Sequence, residues 1–401
     1  MQLLATQQSR ARDLIQAHPG QRPYIGTVAR NKAPTATGFA QPFFQFLMLL
    51  VLCIACNHSR AASNSETPQE SPRGSYSGAM DTLYPDWFKT SFMELEEDIL
   101  EAREEGRRLM LVFHQPGCPY CNAFVERNLA QKDIEALVQD NFDVIEINMW
   151  GDREVTSVAG DSFTEKTFSE ALGVQFTPTV LMYEDTGELA LRLNGYYPPQ
   201  KFRTALDFVI SGGSRDQSFN EYLETLATEA AGNAATPESK ATKPPYIDSD
   251  GFSGAPVSLA DITKQRTPFL LMFEQDDCAN CQQLHALIAD DAEARELMGQ
   301  FTVARVDMWA NTPVTDLDGQ AITARDLASR LNINYAPTMV LFSADGAEVI
   351  RSESWLKRFH TQSILDYVAS GAWENQPNFQ RYLSARADEI RERGIDVNIF
   401  D

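Results

Sequence analysis

The chain is poor in positive charge. It has 34 Lys and Arg residues but 56 Asp and Glu residues, which gives a formal net charge of −22. Nucleic acid is excluded as a partner, because its phosphates would be repelled by so acidic a protein. A Gly-rich phosphate loop, an H-E-x-x-H zinc motif and a nucleophile elbow are also missing from the sequence. The acidity itself predicts a solvated surface.

An uncharged apolar run, "FFQFLMLLVLCIAC", extends from Phe43 to Cys56 and follows Arg22, Arg30 and Lys32. It is short for a membrane span but has the length of a signal-peptide core. The run ends in Ala55-Cys56 and resembles a bacterial lipobox, in which the cysteine is lipidated. We therefore predict a targeting segment at 1–56 with Cys56 as the lipidation site, and an uncleaved anchor is the alternative. Either form implies an exported, tethered protein.

Cysteine is scarce outside two short motifs. Of the six cysteines, Cys53 and Cys56 fall in the targeting segment, and the others form Cys118-Pro-Tyr-Cys121 and Cys278-Ala-Asn-Cys281. An exported protein that uses disulfides as staples scatters its cysteines and links distant elements. Two pairs at C-x-x-C spacing instead indicate redox sites.

The chain contains an internal duplication. "INMWGDREVTSVAGDSFTEKTFSEALGVQFTPTVLMYEDTGE" (147–188) aligns with "VDMWANTPVTDLDGQAITARDLASRLNINYAPTMVLFSADGAE" (306–348). Trp150 and Trp309 are 159 residues apart, as are Pro178 and Pro337. Such self-similarity predicts two related domains. Polar stretches rich in small residues separate the parts as a linker or a tether. The predicted division is a tether at 57–80, a first domain at 81–226, a linker at 227–251 and a second domain at 252–392.

Both repeats share one order of elements. A capping box at Ser91 and Glu94 predicts a helix through Ala102. A buried strand ("LMLVF", 109–113, or "PFLLMF", 268–273) precedes each C-x-x-C, which opens a helix. A second strand (142–148 or 301–307), an excursion, a proline-initiated strand, a hairpin and a final helix (200–211 or 361–369) follow. This order predicts a mixed α/β sheet with helices on both faces.

A C-x-x-C directly after a buried strand, with an X-Pro-Thr strand start about 60 residues later, resembles the thioredoxin fold, and most of all bacterial periplasmic thioredoxin-related proteins. The resemblance covers nearly all of 81–385. It implies that Pro178 and Pro337 are cis and face the cysteines. Together with Thr177 and Ala336 they would receive the substrate polypeptide. No bound cofactor or metal is implied, because the dithiol is itself the redox group.

The spacing of the cysteines has its own physical reason. Amide groups at a helix N-terminus stabilise a thiolate and lower its pKa, so Cys118 and Cys278 are the predicted nucleophiles. Cys121 and Cys281 lie one turn later and can resolve a mixed disulfide.

The sequence departs from the thioredoxin pattern beside the cysteines. Gly117 and Asp277 replace the usual tryptophan, and Val112 and Met272 stand where thioredoxins carry a buried acid. The candidate proton-relay groups are therefore His114 and Glu274. A role for His114 without any part in catalysis, as a strand-end histidine that is exposed or hydrogen-bonded, is an equally good interpretation. Acidic neighbours of Cys278, namely Glu274, Asp276 and Asp277, predict that Cys118 is the more reactive thiol.

The predicted function is that of a thiol–disulfide oxidoreductase of the bacterial periplasm that reduces or isomerises protein disulfides. Its predicted partners are protein thiols and disulfides and a membrane thiol reductant as electron donor. One alternative is a binding module with a single active C-x-x-C. The other is a zinc protein, although structural zinc pairs lie closer in sequence.

Overall fold

The structure is a computed structural model that describes residues 73–233, 252–253, 257–275, 278–354 and 356–401. The predicted targeting segment with Cys56 lies outside the described residues, as do most of the tether and of the linker. No helix within the described ranges is long and apolar enough to cross a membrane.

The first repeat follows a short strand, β1 (Tyr76–Ser77), and is built around four strands. Its elements are α1 (Leu95–Glu104), β2 (Arg108–His114), α2 (Pro119–Ala123), a π-helix (Phe124–Leu129), α3 (Lys132–Asn141), β3 (Phe142–Asn148), β4 (Glu154–Thr156), β5 (Ser162–Thr164), α4 (Glu165–Ala171), β6 (Thr179–Tyr183), β7 (Leu189–Asn194), α5 (Pro199–Ile210), a 3-10 turn (Gly213–Arg215) and α6 (Phe219–Asn233). The sheet order is β3-β2-β6-β7, in which only β2 and β3 are parallel.

The second repeat reproduces this order. Its elements are β8 (Phe252–Ser253), β9 (Val257–Ser258), α7 (Leu259–Thr263), β10 (Phe269–Glu274), α8 (Ala279–Asp290), α9 (Ala292–Met298), β11 (Thr302–Asp307), β12 (Pro313–Thr315), β13 (Ala321–Thr323), α10 (Ala324–Arg330), β14 (Thr338–Phe342), β15 (Glu348–Ser352), α11 (Arg358–Ala369), a 3-10 turn (Ala372–Glu374), α12 (Phe379–Glu392) and β16 (Val397–Asn398). Its sheet order is β15-β14-β10-β11-β8. The predicted pair of mixed α/β domains is confirmed.

Each central strand is apolar because both faces of the sheet are covered. Along β2, Leu109, Leu111 and Phe113 pack into one core, while Met110 and Val112 pack into the core on the opposite face. Side chains that alternate along a strand can fill two cores only when helices cover both sides. Burying each such side chain contributes about 1.5–3 kcal/mol to the stability of the fold. The strand that precedes the first C-x-x-C is therefore firmly held.

The described ends of the predicted tether and linker, 73–80 and 227–233, form part of the fold. β1, which belongs to the predicted tether, pairs in parallel with β16 near the C-terminus, and the Met80 N–H donates to the Gly117 carbonyl at 3.3 Å. α6 extends to Asn233 and so includes the first residues of the segment that we assigned to the linker.

Candidate active site

Each C-x-x-C lies where a central strand ends and a helix begins. Cys118 and Cys278 are the extended N-cap residues of α2 and α8, and each Sγ accepts a hydrogen bond from the N–H of the second cysteine, at 3.0 and 3.1 Å. Pro119 occupies the first turn of α2, where no N–H donor is needed. Both pairs are disulfide-bonded, with Cα–Cα distances of 5.3 and 5.2 Å. The sulfurs therefore lie at helix N-termini, as the spacing predicts.

The loop before each pair is held by the repeated tryptophan. Trp150 donates its indole N–H to Gln115 Oε1 at 3.0 Å, and Trp309 donates to Gln275 Oε1 at 3.3 Å. Gly117 has a φ of +71°, a left-handed conformation that favours glycine. This conformation gives a physical reason for the glycine where thioredoxins carry tryptophan.

The proline loops reach the sites as the resemblance implies. The peptide bonds before Pro178 and Pro337 are cis. Cys118 Sγ lies 3.3 Å from Thr177 Oγ1 and 3.5 Å from the Thr177 carbonyl oxygen, and in the second repeat Ala336 is buried in the same apolar cluster as Cys278. The roles of these residues in binding substrate, and of the cysteines in catalysis, stay predictions.

The candidate proton-relay groups are each bound to other polar side chains. His114 Nε2 pairs with Glu146, whose pKa is lowered by hydrogen bonding to His114 although burial opposes the shift. Burial would raise the pKa of Glu274, but His285 and Arg305 bind its carboxylate and lower it. In the part of the chain that the structure describes, neither His114 nor Glu274 is hydrogen-bonded to a cysteine.

The contacts of Glu274 also change the charge expected near Cys278. Arg305 Nη2 lies 2.6 Å from Glu274 Oε2, so the negative charge of Glu274 is compensated. Asp276 and Asp277, the other two predicted acidic neighbours, lie outside the described residues. The predicted difference between the two thiols therefore stays a prediction.

The second repeat covers the first redox site with α12 and the residues around α11. Gln380 donates its amide to the Gln175 carbonyl at 2.8 Å, and the ring of Phe379 packs on Phe176 at a centroid distance of 5.4 Å. The Tyr120 hydroxyl accepts a hydrogen bond from the Lys357 N–H at 2.9 Å. As a result, only 3% of the surface of Cys118 is exposed.

The first repeat covers the second site in the same way, through α6 and the residues around α5. Asn220 donates its amide to the Ile333 carbonyl at 2.6 Å, and Tyr197 packs on Tyr335 at 5.0 Å. Tyr335 in turn accepts a hydrogen bond from the side-chain amide of Asn280, between the two cysteines, at 2.7 Å. The exposed fraction of Cys278 is 8%.

The repeats are thus related by an approximate twofold axis, which passes near the ends of β7 and β15. Asn194 and its repeat equivalent Glu353 contact each other, with Nδ2 and Oε2 2.6 Å apart. Gly195 and its equivalent Ser354 are also in contact. An arrangement in which the same patch on two related units meets itself is the geometry of an isologous dimer.

A cavity of about 340 Å³ remains beside Cys118 within this contact. Its lining comes from both repeats and includes Trp150, Thr177, His360 and Arg381. Sequence reasoning predicted Thr177 here but missed the residues of the second repeat. A sequence signal for the covering helices exists, since the pattern F-x-x-Y-L recurs at 219–223 and 379–383, beyond the final helix that we predicted for each domain.

Two disulfides, each at a helix N-terminus beside a cis-proline loop, define a dithiol–disulfide site of the thioredoxin class. The family model for the thioredoxin-like domain matches residues 95–210 and again residues 255–369, which together exceed half of the chain. The chain therefore belongs to the thioredoxin-like domain family. With two Cys-x-x-Cys pairs in such domains, it is a thiol–disulfide oxidoreductase.

Solved structures that resemble the chain have the thioredoxin fold and match about one repeat each. A thioredoxin-fold protein from Helicobacter pylori is 23% identical over 34% of this chain and 92% of its own, with a TM-score of 0.27. A Thermus thermophilus thioredoxin is 24% identical (31% and 90% coverage, TM-score 0.25), and a disulphide isomerase from Xylella fastidiosa is 19% identical (28% and 80%, TM-score 0.22). Comparison with curated proteins gives no match.

Proposed function

We propose that the protein reduces or isomerises disulfides of protein substrates in the bacterial envelope, with Cys118 and Cys278 as nucleophiles. The observation that supports this most is that each first cysteine caps a helix and accepts the N–H of the second. The same amide groups would stabilise a thiolate once the pair is reduced.

The reaction consists of two exchanges. The Cys118 thiolate attacks one sulfur of a substrate disulfide, a mixed disulfide forms, and the other substrate sulfur leaves as a thiolate. The Cys121 thiol then loses its proton and attacks Cys118 Sγ, which reforms the enzyme disulfide and releases the second substrate sulfur. The substrate gains two electrons and the enzyme pair loses two. The pair requires no organic cofactor, but a thiol reductant has to restore it, and we propose a membrane protein as that donor.

The reduction potential of each pair tests the direction of the reaction. The Cys118→Ser/Cys121→Ser and Cys278→Ser/Cys281→Ser variants isolate one pair each in glutathione and dithiothreitol buffers. Couples near or below about −200 mV support a reductant or an isomerase, whereas a value near about −120 mV would show an oxidant. A pair that is never reduced or oxidised in these buffers would show that its domain is a binding module and would contradict the two-site proposal.

The envelope location rests on the sequence of residues 1–56 alone. Cell fractionation of the full chain, with Cys56→Ser as the matched variant, tests it. We expect the full chain in the membrane fraction and the variant released from it or unprocessed. An equal distribution of the two proteins, with both of the same size on a gel, would exclude cleavage and a lipid at Cys56, and recovery in the cytosol would exclude export.

A further inference from the structure

One basic residue of each repeat packs against the redox site of the other repeat. Lys201 on α5 and His360 on α11 are 159 residues apart and occupy equivalent positions of the duplication. Because the repeats meet across an approximate twofold axis, both side chains face the opposite repeat. Lys201 Nζ lies 4.2 Å from the centre of the Tyr335 ring, and the ring of His360 meets that of Tyr120 at 5.1 Å.

His360 shares the cavity with Cys118. Its imidazole meets the ring of Tyr120, the residue directly before Cys121, edge-on at an interplanar angle of 87°. His360 Nδ1 is buried and has no hydrogen-bond partner within the described residues, while the ring also contacts the backbone of Ile399. An imidazole nitrogen without a partner is able to take up a proton.

The charges around the cavity favour an anion. Within the described chain, no Asp or Glu lines it, and Arg381 contributes a guanidinium group that lies over the Trp150 ring. The other ionisable side chains that line the cavity are Tyr76, Tyr120 and Tyr196, whose pKa values are raised by burial, so their hydroxyls stay neutral. A thiolate at Cys118 would therefore meet cationic or neutral groups only.

We propose that His360 is the proton acceptor of the first redox site and is supplied by the second repeat. Beside the disulfide it is neutral, and when Cys118 becomes a thiolate it holds a proton. The assignment rests on the thiol–disulfide exchange proposed for Cys118.

With His360 as the proton acceptor, the protons and electrons balance when a dithiol reduces the Cys118–Cys121 disulfide. The donor dithiol becomes a disulfide and passes two electrons to the Cys118–Cys121 bond. Of its two protons, one goes to the Cys121 thiol and the other to His360, which leaves Cys118 as the thiolate. In the reverse direction, His360 returns its proton to the leaving substrate thiolate.

The charge of the reduced site explains why the proton would bind. While the disulfide is closed, burial lowers the pKa of His360 to about 4, so the ring is neutral at pH 7. A buried thiolate nearby favours the imidazolium, and the imidazolium favours the thiolate to the same extent. His360 thus supplies the proton acceptor that the first repeat lacks, since Val112 replaces the buried acid there and His114 is paired with Glu146.

The test compares His360→Gln with Lys201→Gln, both in the Cys278→Ser/Cys281→Ser background. After reduction, the rate of Cys118 alkylation by iodoacetamide is followed against pH. We expect His360→Gln to shift the profile to higher pH by about one unit, which slows alkylation about tenfold at any pH below the midpoints of both profiles. Lys201→Gln, at the equivalent position facing the second site, leaves the profile unchanged. The reduction potential of the pair should fall with His360→Gln.

A second measurement does not depend on a variant that folds. The imidazole resonance of His360 is titrated by NMR in the full chain, first oxidised and then reduced with dithiothreitol. We expect a higher pKa in the reduced protein. Equal values in the two states, or an unchanged alkylation profile in a folded His360→Gln protein, would overturn the assignment. Neither readout uses a substrate protein, so a failure to reduce protein disulfides would count against the proposed function alone.

Discussion

Closure of the first site depends on a glycine at the contact between the repeats. Gly195 has a φ of +85°, and a Cβ atom added there would meet the side chain of Ser354 in the other repeat. Its N–H donates to the carbonyl of Pro178 at 2.9 Å, so the backbone around it also supports the cis-proline loop. Gly195→Ala should therefore disturb the cover of Cys118 and not only the local turn.

Gly160 provides a matched control for the backbone. Its φ is +81°, and nothing lies within 4 Å of the position of a Cβ atom. A left-handed alanine costs about 1–2 kcal/mol at either position. Overpacking against Ser354 adds about 1–3 kcal/mol at Gly195 only, and this excess favours separation of the repeats. Since 1.4 kcal/mol is a factor of ten, the open population should rise about 5- to 150-fold.

The assay is the rate at which a bulky maleimide alkylates Cys118 in reduced protein that lacks the second pair. We expect Gly195→Ala to react faster than Gly160→Ala by up to the factor above. Adding Ser354→Gly, which removes the atoms that the new Cβ would meet, should restore slow alkylation. Equal rates for the two alanine variants, or no rescue by Ser354→Gly, would refute the view that this contact closes the site.

Three further predictions concern the chemistry and the charges of the sites. Cys121→Ser should accumulate a mixed disulfide between Cys118 and a substrate, seen as a band on non-reducing gels that Cys118→Ser does not give; a labile adduct would remove Cys121 as the resolving residue. Cys118 should alkylate with a lower apparent pKa than Cys278 when each pair is isolated, and the reverse order would show that the basic cavity does not control the thiol. The pKa of Glu274 is lowered in the fold, so its contribution to stability is present above its unfolded pKa of about 4.3 and is lost as the pH falls through the lower folded value. Glu274→Gln should therefore lower the free energy of unfolding at pH 7 and flatten its decline in acid, measured by urea unfolding; an unchanged acid limb would contradict this.

The sequence predicted the elements whose signals are local. The strand expected at 142–148 is β3 at the same bounds, and the final helices expected at 200–211 and 361–369 are α5 and α11 within a few residues. A run of apolar residues in a buried strand, and a proline that opens the next strand, depend on few distant contacts. The cysteine pairs were located for the same reason.

One local prediction was wrong. The capping box at Ser91 and Glu94 does not form, because Met93 between them has a φ of +63° and the helix begins at Leu95. The Ser91 hydroxyl instead donates to Asp98 at 2.6 Å and accepts from the Met93 N–H. A short motif at a helix start is ambiguous, since the same side chain can bond to several nearby groups.

The cover of the two sites could not be deduced from either repeat alone. Gln380 and Asn220 are ordinary polar residues on amphipathic helices, and their bonds to the proline loops exist only because two repeats meet. The repeated F-x-x-Y-L pattern shows that α6 and α12 belong to the duplicated unit, but not which surface they contact. Contacts between distant parts of a chain leave little trace in a single sequence.

Placement of both disulfides in one twofold contact has a consequence for their use. Separation of the repeats would expose Cys118 and Cys278 together, so access to one site is coupled to access to the other. In a dimer of identical chains the two sites would also share one chemistry. Duplication removes that constraint: the carboxylate of the pair lies on β3 in the first repeat, as Glu146 beside His114, and on β10 in the second, as Glu274 beside Arg305. The linkage between the repeats keeps the effective concentration of each cover high while the two sites diverge.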